Sequence, residues 1–235
     1  MLGTLYHVIL RNIATRGRVL GLLALGITGV VVGVGIGLAD DVDRLEAGTG
    51  LANTFGMSLF VPVVTLVFAS AALGDPAEDG TLVYLWARPV PRWKIAVAAC
   101  AASVSVALPL VLGSLGVATL ATGAGSELIV GTLSGAAVAV VAYAGIFCLV
   151  GLRVRRALVW GLAYVLLWEG FVASAGDNAA RLAVRSYSRS LLSHATGEEL
   201  RLADRSVVAS IVVPLAVAVV AVLLTTRHLR RADVA

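Results

Sequence analysis

Six long apolar runs decide what this chain can fold into. They cover 19–39, 56–74, 96–119, 128–151, 157–176 and 207–226, each holds 19 to 24 residues, and one formal charge, Glu169, falls inside them. A helix needs about 20 mostly apolar residues to cross roughly 30 Å of hydrocarbon, so every run is long enough to span a bilayer. A strand-built barrel would alternate apolar and polar residues over segments of about ten, whereas these runs are apolar throughout. Pro62, Pro109 and Pro214 lie within them, where neighbouring helices can satisfy the backbone groups a proline frees. Composition agrees, with 59% AVILMFWYC and a further 25 Gly against about 45–50% for soluble domains with Gly included. The first run is too long for the h-region of a signal peptide, about 7–15 residues, and is expected to be retained. The expected fold is an all-α integral membrane protein of six transmembrane helices in a single domain over 1–235. The longest remainder, 177–206, has 30 residues, too few to bury a core of its own.

In such a chain the net charge of +4 reports topology before it reports any nucleic-acid partner. Arg11, Arg16 and Arg18 precede the first run. Arg88, Arg92 and Lys94 follow the second, Arg153, Arg155 and Arg156 the fourth, and Arg227, Arg230 and Arg231 the sixth. The short connections on the other side carry only Arg44, beside Asp40, Asp41, Asp43 and Glu46. Short loops rich in Arg and Lys stay in the cytoplasm, so both termini are expected there. The long outer segment carries Arg181, Arg185, Arg189, Arg201 and Arg205, partly balanced by Asp177, Glu198, Glu199 and Asp204.

Catalytic chemistry is missing from the expected spans. His7, His194 and His228 all fall outside them and no span holds Asp, which removes intramembrane Ser-His and paired-aspartate proteolysis. No CxxC or HxxxH spacing suggests a metal, and Cys100 and Cys148, each within a span, read as small buried apolar residues. No Gly-Lys dipeptide occurs, so there is no Walker phosphate loop. The chain is expected to bind no cofactor and to catalyse nothing itself.

The segment 75–94, between the second and third spans, begins with Asp75, Glu78 and Asp79 and ends with Arg88, Arg92 and Lys94. That order suits the dipole of a short helix, and Pro89 would stop it near Arg88. Leu82, Val83, Leu85 and Trp86 give it an apolar side that no solvated loop needs, so it is expected to dock. Here the chain resembles the type-2 ABC transporter permeases, the membrane subunits of many bacterial exporters. Glu78, Gly80, Thr81, Leu82, Arg88, Pro89, Val90, Arg92 and Trp93 fit that family's pattern, although Pro76 interrupts its usual charged lead. The resemblance extends through the span count, the stretch from Tyr164 to Glu169 and the basic tail.

What the resemblance implies is a short cytoplasmic coupling helix seated in a groove of an ABC ATPase, with Glu78, Gly80, Thr81, Leu82, Leu85, Trp86, Arg88 and Arg92 at the contact. ATP and Mg would sit on two such ATPase subunits, a second permease copy or a related chain would complete the pathway, and the setting would be a bacterial plasma membrane. Leu2, Tyr6, Ile9 and Ile13 face one way and His7, Arg11 and Arg18 another, which makes 1–18 an interfacial helix, either an elbow that touches the ATPase or an anchor. Gly29, Gly33 and Gly37 recur every four residues, a face for close helix approach, either between two copies or within the chain. Glu169 is expected to pair with Arg181 or Arg185, with substrate contact as the competing role. The outer segment reads as two short helices, the second opened by a capping box at Thr196 to Glu199, forming a lid or lying on the membrane surface. The competing function is an ATP-independent secondary carrier or a membrane assembly factor. A carrier would be expected to hold ionisable groups near the midplane.

Overall fold

The computed structural model describes residues 2–80, 91–170, 177–200 and 203–231, and every regular element among them is a helix. In chain order these are α1 (Leu2–Ile13), α2 (Arg16–Leu38), α3 (Arg44–Leu51), a π-helical segment (Ala52–Phe60), α4 (Val61–Glu78), α5 (Arg92–Thr122) and α6 (Ser126–Arg153). There follow α7 (Ala157–Ala163), which runs into a second π-helical segment (Tyr164–Glu169), then α8 (Asp177–Ala180), α9 (Val184–Thr196) and α10 (Val207–Arg231).

Five of these stretches are long and apolar enough to cross a membrane: α2, the unbroken run Arg44–Glu78, α5, α6 and α10. The second starts earlier than its apolar run predicts. Asp43 accepts from the backbone N–H groups of Leu45 (2.9 Å) and Glu46 (3.2 Å) and so caps α3, turning most of the expected loop 40–55 into helix. The π-helical segment that follows has a local cause. Pro62 offers no N–H to the Ser58 carbonyl four residues back, and the ladder slips to wider spacing just before it; the Ser58 hydroxyl donates to the Asn53 carbonyl at 2.8 Å. Of the expected fifth span, 157–176, the described residues hold the apolar helix Ala157–Glu169, 13 residues or about 20 Å, and 171–176 lie outside the described residues.

Packing centres on α6, which α4, α5, α9 and α10 all contact. Glycines on different faces of α6 admit these neighbours. A Cβ at Gly131 would stand 2.8 Å from the Ala195 methyl, one at Gly135 would stand 2.8 Å from the Ser188 carbonyl, and one at Gly145 would stand 3.0 Å from the Ala218 backbone. At Gly151 it would run into the Ser70 backbone. Small residues permit this closeness, on which helix association in lipid depends. The outer faces of α2 and α10 carry Leu20, Ile27, Val31, Val212, Val219 and Leu223 exposed, as lipid-facing surfaces do.

Two readings that the sequence left open are narrowed here. The Gly29, Gly33 and Gly37 face of α2 is covered by this chain: a Cβ would strike the Phe55 ring at Gly29, the Ala118 carbonyl at Gly33 and the Ala121 carbonyl at Gly37. It packs on α5 and is not open as a seam between copies. The outer segment is not a pair of surface helices either. Val184, Arg185, Ser186, Ser188, Leu191 and Leu192 of α9 are all buried, and the helix lies along α6 from the level of Gly131 to that of Tyr143. Gly197 takes a left-handed φ of 74° as the C-cap of α9. The supposed capping box is thus a helix end, and no second helix begins at residues 197–200.

Candidate coupling site and buried charge cluster

The acidic lead of segment 75–94 belongs to α4, which continues through Pro76 to Glu78 and stops where Gly80 adopts a φ of 68°, a conformation that costs glycine little. Thr81, Leu82, Leu85, Trp86 and Arg88 lie outside the described residues. The next described residue is Pro91, which precedes α5; Arg92 is half-buried, and the Lys94 ammonium sits 5.7 Å from the centre of the exposed Trp93 ring.

Two polar contacts hold this end of α4. The Arg18 guanidinium bonds the Asp75 carboxylate at 2.7 Å, tying the start of α2 to α4. Glu78 Oε1 accepts from the Arg156 backbone N–H at 2.6 Å. Arg156 is the N-cap residue of α7, with φ 58° and no side-chain cap of its own, so Glu78 supplies from another part of the chain the negative charge that a helix start favours. Their strengths differ by kind, since both are open to solvent to some degree and one is an ion pair while the other caps a helix. The Arg18 and Asp75 side chains are 28% and 38% exposed, and such pairs give under about 1 kcal/mol; Arg18→Ala is expected to leave the unfolding midpoint of the purified chain nearly unchanged. Glu78→Ala removes a cap and should cost about 0.5–2 kcal/mol, read as a lower midpoint in the same thermal scan.

α1 also reaches this region. Ile9 and Ile13 are buried, with α1 against α5 and α4, while His7 and Arg11 stay exposed.

The other candidate site lies inside the bundle. Glu169 is 1% exposed. Its Oε2 accepts from the Tyr143 hydroxyl of α6, and its Oε1 accepts from the Tyr164 hydroxyl at 3.3 Å. The i→i+5 ladder of a π-helix brings Tyr164 and Glu169, five residues apart, onto one face. The carboxylate also accepts from the backbone N–H of Val184, the first residue of α9, and faces the Arg185 guanidinium. One buried carboxylate therefore caps α9, neutralises its buried arginine and joins it to α6. Of the two partners expected from sequence, Arg185 is the one placed here; the Arg181 side chain is exposed, and its carbonyl accepts from the Tyr187 hydroxyl at 2.8 Å. Arg189, one turn on, reaches the Ser58 hydroxyl at 3.4 Å and so links α9 to the first π-helical segment. Sequence reasoning missed Tyr143 and Arg189. The signal available was a lone intramembrane carboxylate followed by arginines at four-residue spacing.

The family model for ABC-2 family transporter proteins matches residues 18–176, from the start of α2 through segment 75–94 and Glu169. The chain belongs to the ABC-2 transporter family. Comparison with curated proteins finds no match. As an ABC-2 family membrane protein with several spanning helices, it is a multi-pass transport permease. In this ABC-2 protein the matched region holds Asp75, Glu78, Tyr143, Tyr164 and Glu169, while α1 precedes it and α8 to α10, with Arg185 and Arg189, follow it. Among the described residues no group of three His, Cys, Asp or Glu is placed to hold a metal, and Cys100 and Cys148 are free thiols.

Proposed function

We propose that this ABC-2 permease is the membrane half of an ATP-driven exporter, with both termini in the cytoplasm and segment 75–94 as its docking element for a separate ABC ATPase. This reading keeps the six crossings expected from the sequence, one of them at 157–176. Two ATPase subunits would bind ATP and Mg, and a second permease copy or related chain would complete the pathway in a bacterial plasma membrane. The observation that supports this most is the fastening of α4 at its basic-flanked end. A segment that transmits force needs a rigid root, and Asp75 and Glu78 join α4 to α2 and α7 there. Glu169 offers little to the secondary-carrier alternative, because its partners already occupy it: two hydroxyls, a backbone N–H and a guanidinium. Leu82→Asp or Trp86→Asp is expected to leave the permease in the membrane while an ATPase no longer copurifies. Undiminished copurification would contradict the docking role.

A further inference from the structure

At the basic end of the bundle α6 and α10 finish side by side. Arg153 from α6 and Arg227, His228 and Arg231 from the last turn of α10 line a cavity of about 270 Å³ with Leu224. Among the described residues no carboxylate lines it. The acid in the neighbouring cleft, which shares Arg153, is Glu78, whose Oε1 is bonded to the Arg156 N–H. Among the described residues none of the four basic side chains has an ion pair or side-chain hydrogen bond.

The helix dipoles do not account for this cluster. Two helix C-termini contribute roughly half a negative charge each, about −1 together, while the three arginines bring +3, so the cavity stays cationic. At about 270 Å³ the cavity sits at the lower edge of small-molecule pockets, which run about 300–1,000 Å³, and it has room for a phosphate group. Arginine forks match phosphate oxygens two at a time. Leu224 in the wall is continuous with exposed Val220 and Val217, four and seven residues back on the same face of α10, an apolar track leading from the cavity toward the middle of the membrane.

We propose that this cavity is a binding site for the phosphate headgroup of an anionic phospholipid, whose acyl chains lie along α10. Basic pockets between transmembrane helices hold such headgroups. The site does not depend on the ATPase reading, since the lipid would bind the permease alone.

The test uses the full-length chain, delipidated in an uncharged detergent, with adducts counted by native mass spectrometry. Dioctanoyl phosphatidylglycerol, dioctanoyl phosphatidylcholine and inorganic phosphate are the three probes. Phosphatidylglycerol is expected to bind in preference to the other two, and R153Q/R227Q to weaken it about tenfold or more, the scale of one lost charge-assisted contact. Arg230→Gln, which removes a charge from the same helix end outside the cavity, is expected to leave binding unchanged. Equal binding of phosphatidylcholine, equal binding of free phosphate, or an equal loss in Arg230→Gln would each overturn the proposal. Arg227→Lys, which keeps the charge but not the fork, is expected to fall between wild type and the double variant; its unfolding midpoint without lipid should match wild type.

Discussion

Glu169→Leu is expected to lower the unfolding midpoint of the purified permease on the order of 10 °C, converting a loss of about 3–5 kcal/mol for breaking a buried charge pair. Leucine takes away the acceptor of the Tyr143 and Tyr164 hydroxyls and the Val184 N–H, and it removes the carboxylate that faces the buried Arg185 guanidinium. The damage should centre on α9, whose inner end has no other cap: Ala183 makes no side-chain hydrogen bond there. Glu169→Gln keeps a carbonyl for one hydroxyl and is expected to fall between. The sharper control is E169L/R185L. Replacing both members of a buried pair by apolar residues is often neutral or stabilising, whereas removing one is not, so the double variant should recover much of the loss. Thermal scans of the four proteins in one detergent decide this. A single Glu169→Leu variant as stable as wild type would show that the carboxylate does not hold α9.

That cluster also marks where the sequence stopped being readable. The spanning helices were legible because lipid leaves no alternative to an unbroken apolar run. Segment 177–206 was not, because its polar composition looks like a surface. In the fold the polarity of α9 is satisfied locally. The Ser186 hydroxyl donates to the carbonyls of Ala180 (2.6 Å) and Ala183 (2.9 Å), and that of Ser190 to Ser186 (2.9 Å). Serines that bond back to their own helix can be buried at little cost, and their small size lets α9 lie against Gly135. Arg185 follows because Glu169 waits for it, a pairing between two segments that no local pattern displays. The same limit explains the glycine face of α2. Spacing announced close packing but could not name the partner, and the Ala118 and Ala121 carbonyls of α5 supply it. Likewise Thr196 to Glu199 has the letters of a capping box, but Gly197 with positive φ ends a helix there.

Gly33→Val is the second substitution expected to be severe. Its Cβ would meet the Ala118 carbonyl, a backbone atom that cannot swing aside as a flexible side chain could. Overpacking costs about 1–3 kcal/mol when side chains can yield, and here α2 and α5 must separate, so the loss should lie at or above the top of that range. Gly35, two residues on, is exposed, and a Cβ added there would have nothing within 4 Å; Gly35→Val should be nearly neutral. Detergent-extracted yield of monodisperse protein for the two variants separates packing inside the chain from a seam between copies. Loss at Gly33 with retention at Gly35 is the expected result, and equal tolerance would mean that α2 does not rest on α5.

The functional account is tested most directly by purifying the tagged full-length permease from its native membranes and assaying the eluate for ATP hydrolysis. Hydrolysis that accompanies the wild-type chain and is lost with Leu82→Asp, at equal permease yield, is the predicted result. An eluate from wild type that hydrolyses no ATP, or hydrolysis equal in both, would contradict a permease driven by an ATPase docked at this segment.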